Sequence, residues 1–143
     1  MEEIIKNQFE TMSAFVSEYE RRLREKFDLE EQIEILKGDK FKHEVKAKEK
    51  VYYEVDEESG KKKYTNEEMR SIAAQNLLER NEEYQKIRIA VEKIESEIGK
   101  NKLEVDVLLK RISVLSKQVD LLVALASFKA QKKDLWGLKN END

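Results

Sequence analysis

Neither cysteine nor proline occurs anywhere in this chain, histidine and tryptophan occur once each, and glycine appears four times in 143 residues. Each absence removes a class of protein. Without cysteine there is no disulfide framework, no thiolate metal site and no thiol nucleophile. The single imidazole, His43, lies in the lysine-rich run 40–50 and reads as a solvated residue, which leaves carboxylates alone as metal ligands. No glycine-rich phosphate loop is present. The longest apolar run, residues 121–126, falls far short of the roughly 20 residues of a membrane span. Residues 1–10 carry acids where a secretory signal has a basic region and then an apolar core. These absences describe a non-enzymatic protein of the cytoplasm, with no cofactor, no small-molecule substrate and no membrane partner.

What is abundant is charge. Asp, Glu, Lys and Arg make up 41% of the chain and hydrophobic residues 39%, whereas an ordinary globular domain is about 25% charged. The two signs nearly cancel, to a formal net charge of −3. The chain therefore lacks the strong self-repulsion of a disordered polyelectrolyte and any general attraction to nucleic acid. Helices that bury a stripe and wet the rest match this composition. The expected fold is all-α: a helix, a short β-hairpin or loop, and a long coiled-coil helix, assembled into an oligomeric bundle.

Residues 1–38 read as an N-terminal amphipathic helix. Ile5, Phe9, Met12, Val16, Tyr19 and Leu23 keep to one helical face. Lys26 and Glu30 hold the next places, so the stripe slips to Phe27, Leu29, Ile33 and Leu36, and Gly38-Asp39 offers a stop. Residues 39–65 are a Lys/Tyr-rich insertion. There 51–55 and 61–65 flank the turn-like Glu57-Glu58-Ser59-Gly60 as a short hairpin or an ordered loop. Thr65-Asn66-Glu67-Glu68 fits a capping box with Thr65 as N-cap. It opens a long helix, 66–130, followed by a tail, 131–143.

Along that helix Tyr84, Ile87, Val91, Ile94, Ile98, Asn101, Val105, Leu108, Ile112, Leu115, Val119, Leu122 and Ala126 alternate spacings of 3 and 4, the seam of a coiled coil. Beta-branched residues at a with Leu at d suit a parallel dimer, in which Glu83 pairs with Arg88 and Glu97 with Lys102 between strands, and facing Asn101 amides set the register. The competing arrangement folds the first helix back antiparallel on the long one. Leu109, Val114, Leu121, Val123 and Leu125 lie beside the seam and call for further helices. A dimer of helical hairpins satisfies both arrangements. The first expected partner is thus the chain itself, as a homo-oligomer of two or more copies.

Two clusters are candidates for other partners. Lys61, Lys62 and Lys63 beside Tyr52, Tyr53 and Tyr64 combine cations for phosphates with rings for bases. The interleaved Glu54, Asp56, Glu57 and Glu58 favour a solvated hairpin over a nucleic-acid site. Leu135, Trp136 and Leu138 are either a docking motif for a protein partner or a cap folded back on the bundle.

The run Val55-Asp56-Glu57-Glu58-Ser59-Gly60-Lys61-Lys62-Lys63-Tyr64-Thr65-Asn66-Glu67-Glu68-Met69-Arg70, followed by Asn81-Glu82-Glu83-Tyr84, resembles a group of small coiled-coil proteins encoded by phages and prophages of Gram-positive bacteria. The resemblance covers about residues 50–125. It implies an accessory role near phage recombination and replication genes, through a protein partner from that machinery or from a host defence system that the protein inhibits. The helix–hairpin–helix layout is also similar to prefoldin, which implies a holdase. Nucleic-acid binding by the Lys/Tyr hairpin is the remaining alternative.

Overall fold

The computed structural model describes residues 2–141, and the side chains of residues 2–136. They form three helices, α1 (Glu2–Tyr53), α2 (Glu67–Arg80) and α3 (Glu82–Glu141), with no strand among the described residues. The fold is all-α. The chain sorts into two compact units, one of Met1–Glu25 with Asn101–Asp143 and one of Lys26–Lys100.

α1 does not stop at Gly38, and the first boundary moves from 38 to 53. A side chain at Gly38 would meet nothing within 4 Å, so this glycine only weakens the helix interior, by about 1 kcal/mol relative to Ala. Ala47 and Val51 lie beyond it and are buried, Val51 with only 1% of its surface exposed. Their burial outweighs the glycine, and it also corrects the reading of 51–55 as a strand. Nor does the stripe slip. Ile5, Gln8, Met12, Phe15, Tyr19, Arg22, Lys26, Leu29, Ile33, Leu36, Lys40, His43 and Ala47 are buried or half-buried in an unbroken 3–4 alternation, with Glu18, Leu23, Asp39, Glu44 and Val45 half-buried beside them. Gln8, Arg22, Lys26 and Lys40 are half-buried at seam positions, where a long polar side chain covers apolar surface with its stem. Phe9, Val16 and Phe27, assigned to the stripe by hydrophobicity alone, are exposed.

In the unit Lys26–Lys100, Ala47, Val51, Ala74, Leu78 and Tyr84 make one buried cluster, covered by Tyr64, Ala73 and Leu77. The second half of α1 and the start of α3 run antiparallel there, tied by Lys37 to Glu95 at 3.5 Å. The connection 54–66 contains a single antiparallel bridge, Val55 to Lys62. Asp56 N–H donates to Lys61 O at 2.8 Å and Lys63 N–H to Glu54 O at 2.9 Å. Gly60 closes the turn with φ +68°, a conformation open to glycine at little cost. The expected hairpin is thus reduced to one rung.

Two asparagines punctuate the helices that follow. The N-cap of α2 is Asn66, one residue later than expected. Its side chain accepts from Met69 N–H at 2.8 Å, and the reciprocal Glu68 bond of a capping box is not part of the arrangement. The expected unbroken helix 66–130 divides at Asn81. This residue ends α2, its N–H bonding to Leu78 O. It also caps α3, its Oδ1 accepting from Tyr84 N–H at 3.0 Å. At the other end α3 absorbs the expected tail as far as Glu141.

In the unit Met1–Glu25 with Asn101–Asp143, the first half of α1 lies antiparallel along α3. Arg22 pairs with Glu104, and the Arg111 guanidinium sits 5.8 Å from the Phe15 ring centre. Leu108 and Val119 are buried, and Val105, Ile112, Leu115, Leu122 and Ala126 are half-buried along the same face. Asn101, 3% exposed, donates from Nδ2 to the backbone O of Arg22 at 3.1 Å, while its Oδ1 is buried without a partner. Its amide therefore faces a helix of its own chain, which corrects the expected pairing of two Asn101 residues. The Glu83 and Arg88 side chains expected to pair between strands also have partners within the chain. Arg88 bonds Glu92 and Gln85 on its own helix, and Glu83 approaches His43 at 4.0 Å.

Gly38→Ala should therefore raise stability by about 0.5–1 kcal/mol, whereas Gly60→Ala should lower it, because alanine resists positive φ. Asn101→Leu should stabilise by about 1 kcal/mol, since an orphaned buried acceptor disappears, and leave the oligomeric state unchanged. Urea unfolding and light scattering of the three variants check these signs.

Candidate partner-binding surface

α2 is apolar on two sides. Ala74 and Leu78 enter the buried cluster. Met69, Ile72, Ala73, Asn76, Leu77 and Arg80, at helical spacing along the neighbouring face, line a groove of about 440 Å³ closed by Val51, Glu54, Lys63 and Tyr64. Met69 and Ile72 are exposed. The rim carries both signs. Lys63 Nζ stands 3.5 Å from Glu54 Oε1, whose charge holds the ammonium above its ordinary pKa, and Arg80 also lines the groove. The groove thus joins apolar side chains of α2 with polar groups of both charge signs.

The Lys/Tyr residues are only partly brought together. Tyr52 and Tyr53 end α1, their rings edge to face at 5.1 Å. Lys62 Nζ lies 3.7 Å from the centre of the Tyr52 ring, and the Arg70 guanidinium lies 5.5 Å from the same ring. Lys63 stands 5.5 Å from the Tyr64 ring, and Tyr64 is half-buried against the cluster. Two of the three lysines thus already meet aromatic rings of their own chain, and Lys61 is exposed apart from them. The seam residues, Tyr84 to Leu122, are buried or half-buried between helices of one chain. Leu135 and Trp136 are exposed on α3, and Leu138 lies outside the described side chains.

Sequence reading missed Met69, Ile72, Asn76 and Arg80. Their spacing of 3, 4 and 4 was a visible signal, hidden because the same short helix spends its other apolar residues on the core. Among the described residues no group of three or more His, Asp or Glu side chains is placed to hold a metal, and no helix is long and apolar enough to cross a membrane.

Behind the groove stands Tyr84. Its ring meets the His43 ring edge-on at 6.3 Å, and its hydroxyl donates to Glu44 Oε1 at 3.1 Å. Burial first, and the Glu44 carboxylate after it, push the phenol above its ordinary pKa of 10.0.

Comparison with protein-family models, with curated proteins and with solved structures returns no match for this chain.

The raised Tyr84 pKa fixes the sign of a pH effect. Between pH 10 and the folded value, the unfolded phenol ionises while the folded one stays protonated. The stability it contributes is complete below pH 10 and is lost as pH rises. Tyr84→Phe should cost about 1 kcal/mol near neutrality, for the lost hydrogen bond. The variant should also fall less steeply than wild type as pH rises above 10, as read by urea midpoints.

Proposed function

We propose that this chain is a non-catalytic helical accessory protein that binds a protein partner through the groove between α2 and the 54–64 turn. The observation that carries the reading is the second apolar face of α2, with Met69 and Ile72 exposed over a groove of about 440 Å³. Surface apolar residues grouped beside a concavity mark interaction sites. The resemblance of residues 50–125 to phage and prophage coiled-coil proteins, which spans the whole groove, supports a partner from the recombination and replication machinery of a phage, or from a host defence system that the protein inhibits. In this reading α1 and α3 form the supporting coiled coil, and the protein works in the cytoplasm of a bacterial host.

Direct nucleic-acid binding draws less support. The Tyr52 ring, the natural platform for a base, already has Lys62 and Arg70 against it, and Lys63 is paired with Glu54. A prefoldin-like holdase needs two comparable free arms, whereas α1 and α3 cover each other in each of the two units.

Calorimetric titration against a phage recombinase and a phage single-strand-binding protein tests the proposal. Ile72→Asp and Met69→Asp should each weaken binding by about tenfold or more. Their thermal midpoints should stay within a few degrees of wild type, because both side chains are exposed. Partner binding that ignores both substitutions overturns the groove. Binding of single-stranded DNA that falls steeply with salt, and is lost in the triple variant Lys61→Ala, Lys62→Ala, Lys63→Ala, replaces the proposal with the nucleic-acid reading.

A further inference from the structure

In the unit Met1–Glu25 with Asn101–Asp143, α3 carries a second apolar stripe that α1 does not cover. Val107, Val114, Leu121, Phe128 and Leu135 recur at intervals of seven residues. All five are exposed, Leu121 at 67%, Phe128 at 62% and Leu135 at 68%. Leu103 and Leu125 lie beside the stripe and are exposed as well. From 127 to 136 every side chain of α3 is exposed, so nothing among the described residues packs on that stretch.

We propose that the stripe is the interface of a homodimer, in which α3 of two copies cross antiparallel about a two-fold axis at Leu121. Three observations select a second copy as the occupant. First, a strict interval of seven stays in line only along another helix that supercoils with it, because a straight helix drifts by about 20° per heptad. Second, the five positions are symmetric about Leu121. A two-fold axis there sets Leu121 on itself, Val114 of one copy on Phe128 of the other, and Val107 on Leu135. Small residues thereby meet large ones at both ends, the self-complementarity that a closed dimer requires. Any other register leaves at least one stripe residue uncovered. Third, at these exposures the five residues with Leu103 and Leu125 present roughly 700–800 Å², close to the ~800 Å² that each partner gives to a standard interface.

Side-chain size selects the direction. A parallel pairing sets Phe128 on Phe128 and each valine on a valine, whereas the antiparallel pairing sets each valine opposite a larger residue. Charge is even-handed, since each direction keeps one kind of like-charge approach, Lys110 to Arg111 when parallel and Arg111 to Lys132 when antiparallel. This interface is separate from the α2 groove and from the covered seam, so it stands or falls independently of the proposed partner.

The absence of cysteine makes the full-length chain suitable for disulfide mapping. Wild type should sediment as a dimer at micromolar concentration. Leu121→Asp brings two carboxylates together on the axis and should weaken the dimer on the order of 100-fold, with helicity by circular dichroism unchanged because Leu121 is exposed. Leu121→Cys alone should form a covalent dimer under mild oxidation. Val107→Cys and Leu135→Cys should each fail alone and cross-link when mixed. A monomeric wild type, a Leu121→Asp variant that dimerises normally, or self-cross-linking of Val107→Cys, the signature of a parallel pair, would each overturn the proposal. Ile72→Asp should leave the dimer intact, which separates this outcome from that of the groove.

Discussion

The packing of Val51 against Ala74, Leu78 and Tyr84 is the constraint on which the other features rest. It holds α1 helical to Tyr53 where the local sequence favours a strand, and so shortens the connection to a single bridge and one glycine turn. It fixes the inner face of α2, which determines the face left for the groove. It also places the first heptad position of α3 against α1. Once Tyr84 is set, the 3.6-residue period decides which later side chains of α3 turn inward in that unit. A cavity at Val51 would be felt at all three helices, since a close-packed core relaxes only partially around a lost side chain.

How legible each part was depends on whether apolar letters alone mark the packing. On α3 they do. Every seam position from Tyr84 to Ala126 that the heptads picked out is buried or half-buried, because that seam is built from Val, Ile and Leu. On α1 they do not. Lys26, Lys40 and Arg22 pack through their methylene stems, and hydrophobicity counts them as solvent-facing, which produced an apparent slip where the helix has none. The break at Asn81 is written in the chain too. Asn66-Glu67-Glu68 and Asn81-Glu82-Glu83 are the same start signal, an asparagine cap with two acids in the first turn; at the first the preceding Thr65 draws the expected cap one residue early, and at the second the heptads that begin at Tyr84 hide it. Of the candidate contacts, the Lys/Tyr cluster was found by composition. The α2 groove was not, because a fourteen-residue helix with apolar residues on two sides shows little periodicity.

Asn101 illustrates how alignment is specified at a cost in stability. A helix pair held by Val, Ile and Leu alone tolerates sliding by a heptad, since one apolar layer resembles the next. A buried amide that reaches one backbone oxygen, beside an Arg22 that also engages Glu18, Glu25 and Glu104, penalises every other alignment with an unpaired donor or a stranded charge. The orphaned Oδ1 is the cost of that discrimination, in keeping with the role of seam asparagines in coiled coils generally.

The corner at 54–66 also has a consequence for how quickly the chain folds. The Tyr84–Glu44 hydrogen bond joins residues 40 apart in sequence, and the Asn101–Arg22 bond residues 79 apart. Closing a loop of twice the length costs about 0.6 kcal/mol more, and that cost falls once the shorter loop has closed, because the remaining chain has then already been brought round. Nucleation near the corner followed by zippering toward the chain ends is the economical route, and no prolyl bond is present to interpose a slow isomerisation. Substitutions around Val51 and Tyr84 then act mainly on the folding rate, whereas those around Asn101 act mainly on the rate at which the distal ends come apart.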